Sequence, residues 1–356
     1  MSSTTLLTPS SPHVHGGLSI PVIMKTVIWA LLPAAAMGVM VFGWSALFVM
    51  IITTLACVVT ERLFNAVRHR ASTLGDQSAA LTGLLLAMPL PPNTPWWICV
   101  IGGGFAILMG KQLYGGLGYN MFNPALIARV FLLVSFPVQM TSWPAPAPLL
   151  SDKALSFAEG LATIISAPFN TPELLDALAS ATPLGQYRME VSLGHTVREA
   201  LGGSYGFDLF SAAGGMIKGS LGETSAILLL AGGIYLLRKR IITWHIPISM
   251  LAGTLLPAII FWYTDPTKYP DPLFHLFTGG LIIGAFFMAT DMVTSPVTPV
   301  GQIIFGLGCG LLTYLIRTWG GYPEGVSFAI VIMNAAVPLI DQYSRPVIYG
   351  KAKTHA

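Results

Sequence analysis

The chain has 356 residues, of which 54% are hydrophobic and only 9% are charged. Soluble domains carry about 25% charged residues, so this composition excludes a water-soluble globular protein and predicts an integral membrane protein that contacts the lipid bilayer. The net charge is +3 and the sequence has no basic stripe of the kind that binds DNA or RNA, so we expect no nucleic acid among its partners.

The N-terminal segment, "MSSTTLLTPSSPHVHGG", is polar and lacks the early basic residues that precede the apolar core of a signal peptide. We therefore expect the first hydrophobic segment to stay in the membrane. The three cysteines are isolated in apolar runs and form no CxxC pair, which indicates packing residues and no metal site. They are Cys57, Cys99 and Cys309.

Apolar segments follow in chain order, and a helix needs about 20 such residues to cross the hydrocarbon core, or fewer if it is broken. They predict an all-α polytopic membrane protein with about ten transmembrane helices. The third segment is short and ends in "PLPPNTP", which is typical of a half-helix. The segments are residues 26–43, 45–61, 77–91, 96–110, 123–140, 223–238, 243–263, 272–290, 301–317 and 325–341.

An even number of crossings places both termini on one side of the membrane. Lysine and arginine are more frequent on that side, as they are in cytoplasmic loops. We therefore expect a multi-pass protein of a bacterial inner membrane, with both termini in the cytoplasm. The predicted parts are a cytoplasmic N-terminal tail (1–25), a first five-helix repeat (26–140), a periplasmic segment (141–222), a second five-helix repeat (223–342) and a cytoplasmic C-terminal tail (343–356).

The two halves of the chain contain related patterns. A Thr-Pro pair is followed by a Gly-Gly pair at nearly equal spacing, from Pro95 to Gly115 and from Pro299 to Gly320. Each copy belongs to a set of five predicted helices. Because five is an odd number of crossings, the second set has the opposite orientation in the membrane to the first. Interrupted helices in matching positions of inverted repeats are typical of a transport pathway, although single glycines also serve close helix packing.

Few charged residues fall in the predicted spans, and three of them are candidates for an ion pathway. Arg129 lies inside the fifth span, where an unpaired charge is costly. It could face a phosphate, a flavin or quinone-like ligand, or a carboxylate across the bundle. Asp291 and Asp341 end the eighth and tenth spans on the cytoplasmic side. Either could bind a cation, or either could be an ordinary aspartate in water at a helix end.

A threonine in the periplasmic segment has two interpretations. Thr182 precedes Pro183, and Thr at the N-cap with Pro at the first helical position is a common helix start. The alternative is that its hydroxyl esterifies a phosphate, which the free amides of a helix start would stabilise. The segment has no catalytic base, so another enzyme would have to make the ester, and we expect no catalytic residue in this chain.

The motifs "DALASATPL", "GKQLYGGLGYNMFNPALIARVFL", "MATDMVTSP" and "NAAVPLID" resemble the family that contains the D subunit of the Rnf/Rsx ion-translocating electron-transport complex. The B subunit of the sodium-pumping NADH:quinone reductase is in the same family, and the resemblance covers nearly the whole chain. It implies FMN joined through its phosphate to the last threonine of a D-x-x-(S/T)-G-A-T motif. Carried over, the acceptor is Thr182, with Asp176, Ser180 and Ala181 in the motif. Two positions depart from the motif: Ala179 stands where Ser or Thr is usual, and Ser180 stands where Gly is usual.

The resemblance also implies the function: the membrane component of a ferredoxin:NAD⁺ oxidoreductase that couples electron transfer to Na⁺ or H⁺ translocation. The implied partners are the A, B, C, E and G subunits of the Rnf/Rsx complex and a flavin transferase that uses FAD as donor. A non-covalent riboflavin is also possible. Gln112 stands where the quinone-reductase relative has an acidic residue, which removes one cytoplasmic cation site and leaves Asp291 and Asp341 as the better candidates.

Two other functions fit the residues. Inverted five-helix repeats also occur in stand-alone channels or carriers for a small solute, in which the Thr-Pro loop would be ordinary structure. A third possibility is a flavin-free scaffold for redox partners, in which Thr182 has no role in electron transfer.

Overall fold

The computed structural model describes residues 19–69, 71–151, 154–166, 182–202, 214–322 and 324–344. This part of the chain is helical and contains no β-strand, which confirms the all-α class. The helices are α1 (Ile20–Phe42), α2 (Trp44–Val67), α3 (Ser78–Ala87), α4 (Trp96–Ile107, continued by a π-helical turn over Leu108–Gln112), α5 (Pro124–Ser135), α6 (Pro137–Thr141), α7 (Phe157–Ser166), α8 (Pro183–Ser192), α9 (Val197–Gly202), α10 (Ala226–Arg238), α11 (His245–Thr264), α12 (Pro272–Phe277), α13 (Leu281–Ile283, continued by a π-helical turn over Gly284–Met288), α14 (Pro299–Trp319) and α15 (Val326–Ser344).

Among the described residues, the five helices α1, α2, α11, α14 and α15 are long and apolar enough to cross a membrane. They coincide with the first, second, seventh, ninth and tenth predicted spans. The other predicted spans fall on shorter helices, and the eighth is divided between α12 and α13. The polytopic membrane character is confirmed, whereas ten complete crossings remain a prediction. In addition, α1 begins at Ile20, earlier than predicted, and α15 continues to Ser344.

Local sequence explains where several helices begin. Asn123 caps α5, because its side chain accepts hydrogen bonds from the amides of Ala125 and Leu126. Thr298 caps α14 in the same way, accepting from the Gly301 amide at 3.1 Å. A side-chain oxygen at the N-cap satisfies amides that have no partner within the helix, and the proline that follows each cap needs none.

The third helix ends inside the protein. α3 stops at Ala87, and the non-helical residues after it stay buried, with Met88 and Leu90 at 0% exposure. The carbonyl of Met88 accepts a hydrogen bond from the amide of Gly222, which belongs to the loop before α10. Non-helical backbone at membrane depth is tolerated only where protein covers it, so this half-helix, expected from "PLPPNTP", depends on that loop.

A second break separates α12 from α13 and is stabilised by a charged side chain of α14. Gly279 lies in the break with φ +68, a conformation that favours glycine. Arg317 donates hydrogen bonds to the carbonyls of His275 (2.6 Å) and Thr278 (2.9 Å). These carbonyls lose their helical partners at the break, and the guanidinium replaces them.

Helix pairs of the first half recur in the second. α2 packs against α4 as α11 packs against α14, and α4 contacts α5 as α14 contacts α15. The first helices of the two halves, α1 and α10, also pack together, as do the last, α5 and α15. Close approach of α11 and α14 requires small residues, because a Cβ at Gly310 would lie 2.2 Å from the Met250 carbonyl oxygen.

The segment 141–222 contributes apolar side chains to two hydrophobic cores. α7 packs against α2, where the Phe157 ring meets the rings of Trp44 (5.4 Å) and Phe48 (5.1 Å), and Ile164 belongs to the main core. α8 and α9 contribute to a separate small core with Phe274 of α12. Two described parts of this segment, α7 and the pair α8 and α9, therefore pack against other helices of the bundle.

Candidate functional site

Thr182 is the N-cap of α8 in the structure. Its Oγ1 accepts a hydrogen bond from the Gly185 amide at 3.1 Å, and its side chain is only 3% exposed. The helix-start interpretation is therefore correct for this residue, and it does not exclude a phosphoester. Three further predicted site residues, Asp176, Ser180 and Ala181, lie outside the described residues.

α8 is hydrogen-bonded to the segments that follow α11 and α14. The Tyr187 hydroxyl donates to the Lys268 carbonyl at 3.0 Å, and Arg188 donates to the Gly320 carbonyl. Leu184 and Tyr187 pack with Phe274. Burial raises the pKa of Tyr187, so its hydroxyl stays protonated and able to donate even above pH 10, the ordinary tyrosine value being about 10. These contacts fix the position of Thr182 relative to the break before α13.

The start of α8 suits a phosphate electrostatically. The first turn of a helix carries partial positive charge and free amides, and α8 has no acidic residue there.

Four charged residues form a group that we call the outer charge cluster: Arg129, Glu223 and Arg317, which are buried, and Glu324, whose side chain is 15% exposed. Arg129 Nη2 donates to Glu324 Oε2 at 3.2 Å, and its guanidinium lies 5.9 Å from the ring centre of Trp143. Of the partners considered for Arg129, the structure therefore has the carboxylate across the bundle. The sequence analysis missed the other three members, although a glutamate directly before α10 and an arginine inside α14 are unusual in apolar segments.

The second carboxylate of the cluster is Glu223. Its Oε1 accepts hydrogen bonds from the amide (3.2 Å) and hydroxyl (2.8 Å) of Ser220, as in a capping box. Its carboxyl group also interacts, side chain to side chain, with that of Glu324, and Arg317 acts on both through its charge. Arg317 is 0% exposed and Glu223 is 5% exposed.

A second buried group, the inner ion pair, joins α2 to the end of α4. Lys111 Nζ lies 2.7 Å from Glu61 Oε1 and donates to the Ser78 hydroxyl at 2.6 Å. Gln112 donates to the same Glu61 oxygen at 3.4 Å, and Thr73 donates to it as well. Although Gln112 is not acidic, a carboxylate is present beside it. Glu61 supplies this carboxylate, and the sequence analysis did not consider Glu61.

The inner ion pair borders a cavity of about 230 Å³ between α1, α3, α10 and α13. Most of its wall is apolar, with polar groups at Lys111, Ser78, Asn120, Asn123 and Asp291. A mostly apolar pocket with a few convergent polar groups is typical of small-molecule sites.

Asp291 lies in the loop between α13 and α14, and Asp341 of α15 is hydrogen-bonded to the same loop. Asp291 Oδ2 accepts from the Thr294 hydroxyl at 3.1 Å, and Asp341 Oδ1 accepts from the Val297 amide at 3.4 Å. Only Asp291 lines the cavity, and Arg129 lies elsewhere, in the outer charge cluster. The three ion-pathway candidates therefore do not form one site. Among the described residues, no group of three or more His, Cys, Asp or Glu could hold a metal ion.

Comparisons with known proteins cover nearly the whole chain. The model of the NQR2, RnfD, RnfE family matches residues 7–350. A protein of Halorhodospira halophila, named as the D subunit of an ion-translocating oxidoreductase complex, is 44% identical over 349 residues, which are 98% of this chain and 96% of that protein. Proteins of the same name from Stutzerimonas stutzeri (47% identical; 94% and 93% covered) and Escherichia coli O7:K1 (41%; 97% and 98%) are also similar.

Proposed function

The chain belongs to the NQR2, RnfD, RnfE family, and from this we propose that it is the D subunit of an ion-translocating oxidoreductase complex. The observation that supports this proposal is that the chain is 41–47% identical, along nearly its full length, to proteins of that name. The chain does not catalyse a reaction alone. It works in the membrane with the A, B, C, E and G subunits. Together these subunits transfer electrons between ferredoxin and NAD⁺ and move ions across the bilayer.

We place the protein in a bacterial inner membrane, with both termini in the cytoplasm and the Thr182 segment in the periplasm. Two inverted five-helix repeats make up the bundle. The recurring helix pairs support this arrangement, since a two-fold relation between halves brings first helix to first helix and last to last, as in α1–α10 and α5–α15. Short and interrupted helices inside such repeats belong to the pathway that crosses the bilayer midplane.

FMN is the proposed covalent cofactor, esterified through its phosphate to Thr182 by a flavin transferase. The α8 amides and the absence of acidic residues in its first turn favour the added phosphate. A flavin accepts one or two electrons, which suits a carrier between partner subunits. This chain supplies the hydroxyl, fixes α8 through Tyr187 and Arg188, and keeps the buried Arg317 beside Leu184, two residues from the attachment point.

We place the ring system of a non-covalent riboflavin in the cavity next to the inner ion pair. The apolar wall suits a flat ring system, and Asn120, Asn123 and Lys111 offer hydrogen bonds to its polar edge. Asp291 lines the same cavity and is the proposed acidic residue of an ion path for Na⁺ or H⁺ on this side, and Asp341 of α15 joins it through its hydrogen bond to the Val297 amide. Asp291→Asn and Asp341→Asn should lower ion pumping per electron; unchanged electron flux and pumping in both would remove them from the path.

The attachment of the flavin can be tested with a matched pair of threonine variants. Thr182 and Thr298 cap helices with the same geometry, each accepting one amide at 3.1 Å before a proline. We expect wild-type protein made beside the transferase to fluoresce in a denaturing gel under ultraviolet light, Thr182→Ala to lose the signal, and Thr298→Ala to keep it. Mass spectrometry of the Thr182 peptide should find FMN.

The same experiment separates the alternatives. A protein without fluorescence, whose Thr182 peptide carries no added mass, would support a stand-alone channel or carrier. A protein without flavin fluorescence, whose Thr182→Ala variant leaves electron flow through the complex intact, would support the flavin-free scaffold.

A further inference from the structure

The outer charge cluster contains a buried carboxylate oxygen without a donor. Glu324 Oε2 is bonded by Arg129, but no group of the described residues donates to Glu324 Oε1. Buried polar atoms almost always have a partner, and each exception calls for an explanation. Arg129 itself is only 2% exposed and its Nη1 is also unpartnered, so the guanidinium has spare donor capacity beside the pair.

A further polar neighbour of Glu324 is another carboxyl group. Glu223 interacts with Glu324 side chain to side chain, while Ser220 donates two hydrogen bonds to Glu223 Oε1. Two ionised carboxylates in contact repel each other strongly in a low-dielectric interior, and the usual result is that the pair keeps one proton.

The arginines do not remove this constraint. Only Arg129 forms an ion pair with either carboxylate among the described residues. Arg317 uses Nη1 and Nη2 for the carbonyls at the helix break, and its Nε has no partner. One directly bound guanidinium thus serves two buried carboxyl groups. A second ionised carboxylate would lack a directly bound cation, and a buried charge without a partner is strongly destabilising. Arg317, in contrast, keeps the carbonyls of His275 and Thr278 as partners for its charge.

We propose that Glu223 and Glu324 hold one proton between them, donated by Glu223 to Oε1 of Glu324, and that this pair is a proton-exchange site in the membrane bundle. The proton satisfies the unpartnered oxygen, leaves Glu324 ionised against Arg129, and keeps Glu223 neutral. Its exchange is a plain acid–base step in which water accepts the proton from the Glu223 carboxyl group and returns it, so no other reactant is needed.

The groups that surround the pair set its response to pH. Among the described residues, Arg129 of α5 and Arg317 of α14 are the charged neighbours of the pair. His275 of α12 is buried beside Arg317, and its ring lies 5.3 Å from that of Tyr314. With one shared proton the cluster carries a net charge of +1, because two arginines face one carboxylate.

The location connects the pair with α8. A Cβ built on Gly279 would lie 2.6 Å from Arg317 Nη2 and 2.9 Å from Leu184 Cδ1, so Gly279 contacts both the cluster and the start of α8. The role of the pair in the complex rests on the proposed function: there, the pair adds a proton-binding step on the Thr182 side of the bundle.

Infrared spectroscopy of the purified complex tests the pair directly. At about pH 8, exposed carboxyl groups are ionised, since their ordinary pKa is about 4. We expect a protonated-carboxyl stretching band in the wild type that moves in D₂O, and that moves again when the protein is made with ¹³C-labelled glutamate but not with ¹³C-labelled aspartate. No band, or a band that follows aspartate labelling, would overturn the proposal without any variant having to fold.

Two variants assign the band to this pair. Glu223→Gln keeps the shape and lets an amide donate to Glu324 Oε1, so the complex should assemble with its thermal stability nearly unchanged and without the band. Asp291→Asn, at the cavity, should keep the band. If both carboxyl groups were ionised in a purely structural ion network, Glu223→Gln would destabilise the complex and change no band. Flavin fluorescence of the same samples reports separately on the proposed function.

Discussion

Removal of Lys111 from the inner ion pair is the sharpest test of how this bundle is stabilised. Lys111 Nζ and Glu61 Oε1 are 2.7 Å apart, and the two side chains are 2% and 0% exposed. Lys111→Met preserves most of the side-chain volume but leaves Glu61 buried without its cation. Breaking a buried pair by removing one partner costs about 3–5 kcal/mol, so we expect the variant complex to be destabilised by about that amount.

The buried cysteines provide the assay. Cys57, Cys99 and Cys309 are all 0% exposed and unpaired, so a thiol-reactive dye reports when this protein unfolds on heating. A loss of 3 kcal/mol corresponds to a fall of at least about 5 °C in the unfolding midpoint. The matched control is Lys239→Met, since Lys239 is exposed and its ammonium only lies 5.8 Å from the centre of the Tyr235 ring.

A double variant distinguishes loss of the pair from loss of packing. Glu61→Gln combined with Lys111→Met removes both charges, and we expect it to recover at least about 1 kcal/mol relative to Lys111→Met, because no unpaired charge is left buried. Equal midpoints for Lys111→Met and Lys239→Met, or a double variant that is less stable than either single one, would refute the reasoning.

Two further predictions concern α8 and the helix break. Gly279→Ala should destabilise the protein by about 1–3 kcal/mol in the same dye assay, because Gly279 has φ +68 and its new Cβ would meet Arg317 and Leu184, whereas Gly75→Ala, with nothing within 4 Å, should have little effect. The docking of α8 should be insensitive to pH up to about 10 and weaken above it: the folded-state pKa of Tyr187 is raised, so stability is lost as pH rises past the ordinary tyrosine value. Limited proteolysis should then cut α8 faster above about pH 10 in the wild type, and a wild type whose cleavage follows that of Tyr187→Phe at every pH would contradict the link to this hydroxyl.

The sequence alone determined the features that depend on composition and short-range pattern. Apolar length and scarce charge predicted a helical membrane protein, and "PLPPNTP" predicted that the third helix would be short, as α3 is. Thr182-Pro183 predicted the start of α8, because an N-cap needs only residues within one turn. The quoted motifs were enough to identify the family, since they extend along the whole chain.

Only the tertiary structure decided which charges meet. Arg129 and Glu324 are 195 residues apart, and Lys111 and Glu61 are 50 apart, so nothing in the local sequence of either pair specifies its partner. The role of Arg317 at the break before α13 is equally non-local. Such pairs form because helix packing fixes the depth and rotation of each segment, and a buried charge then binds whichever opposite charge or carbonyl the packing has placed beside it.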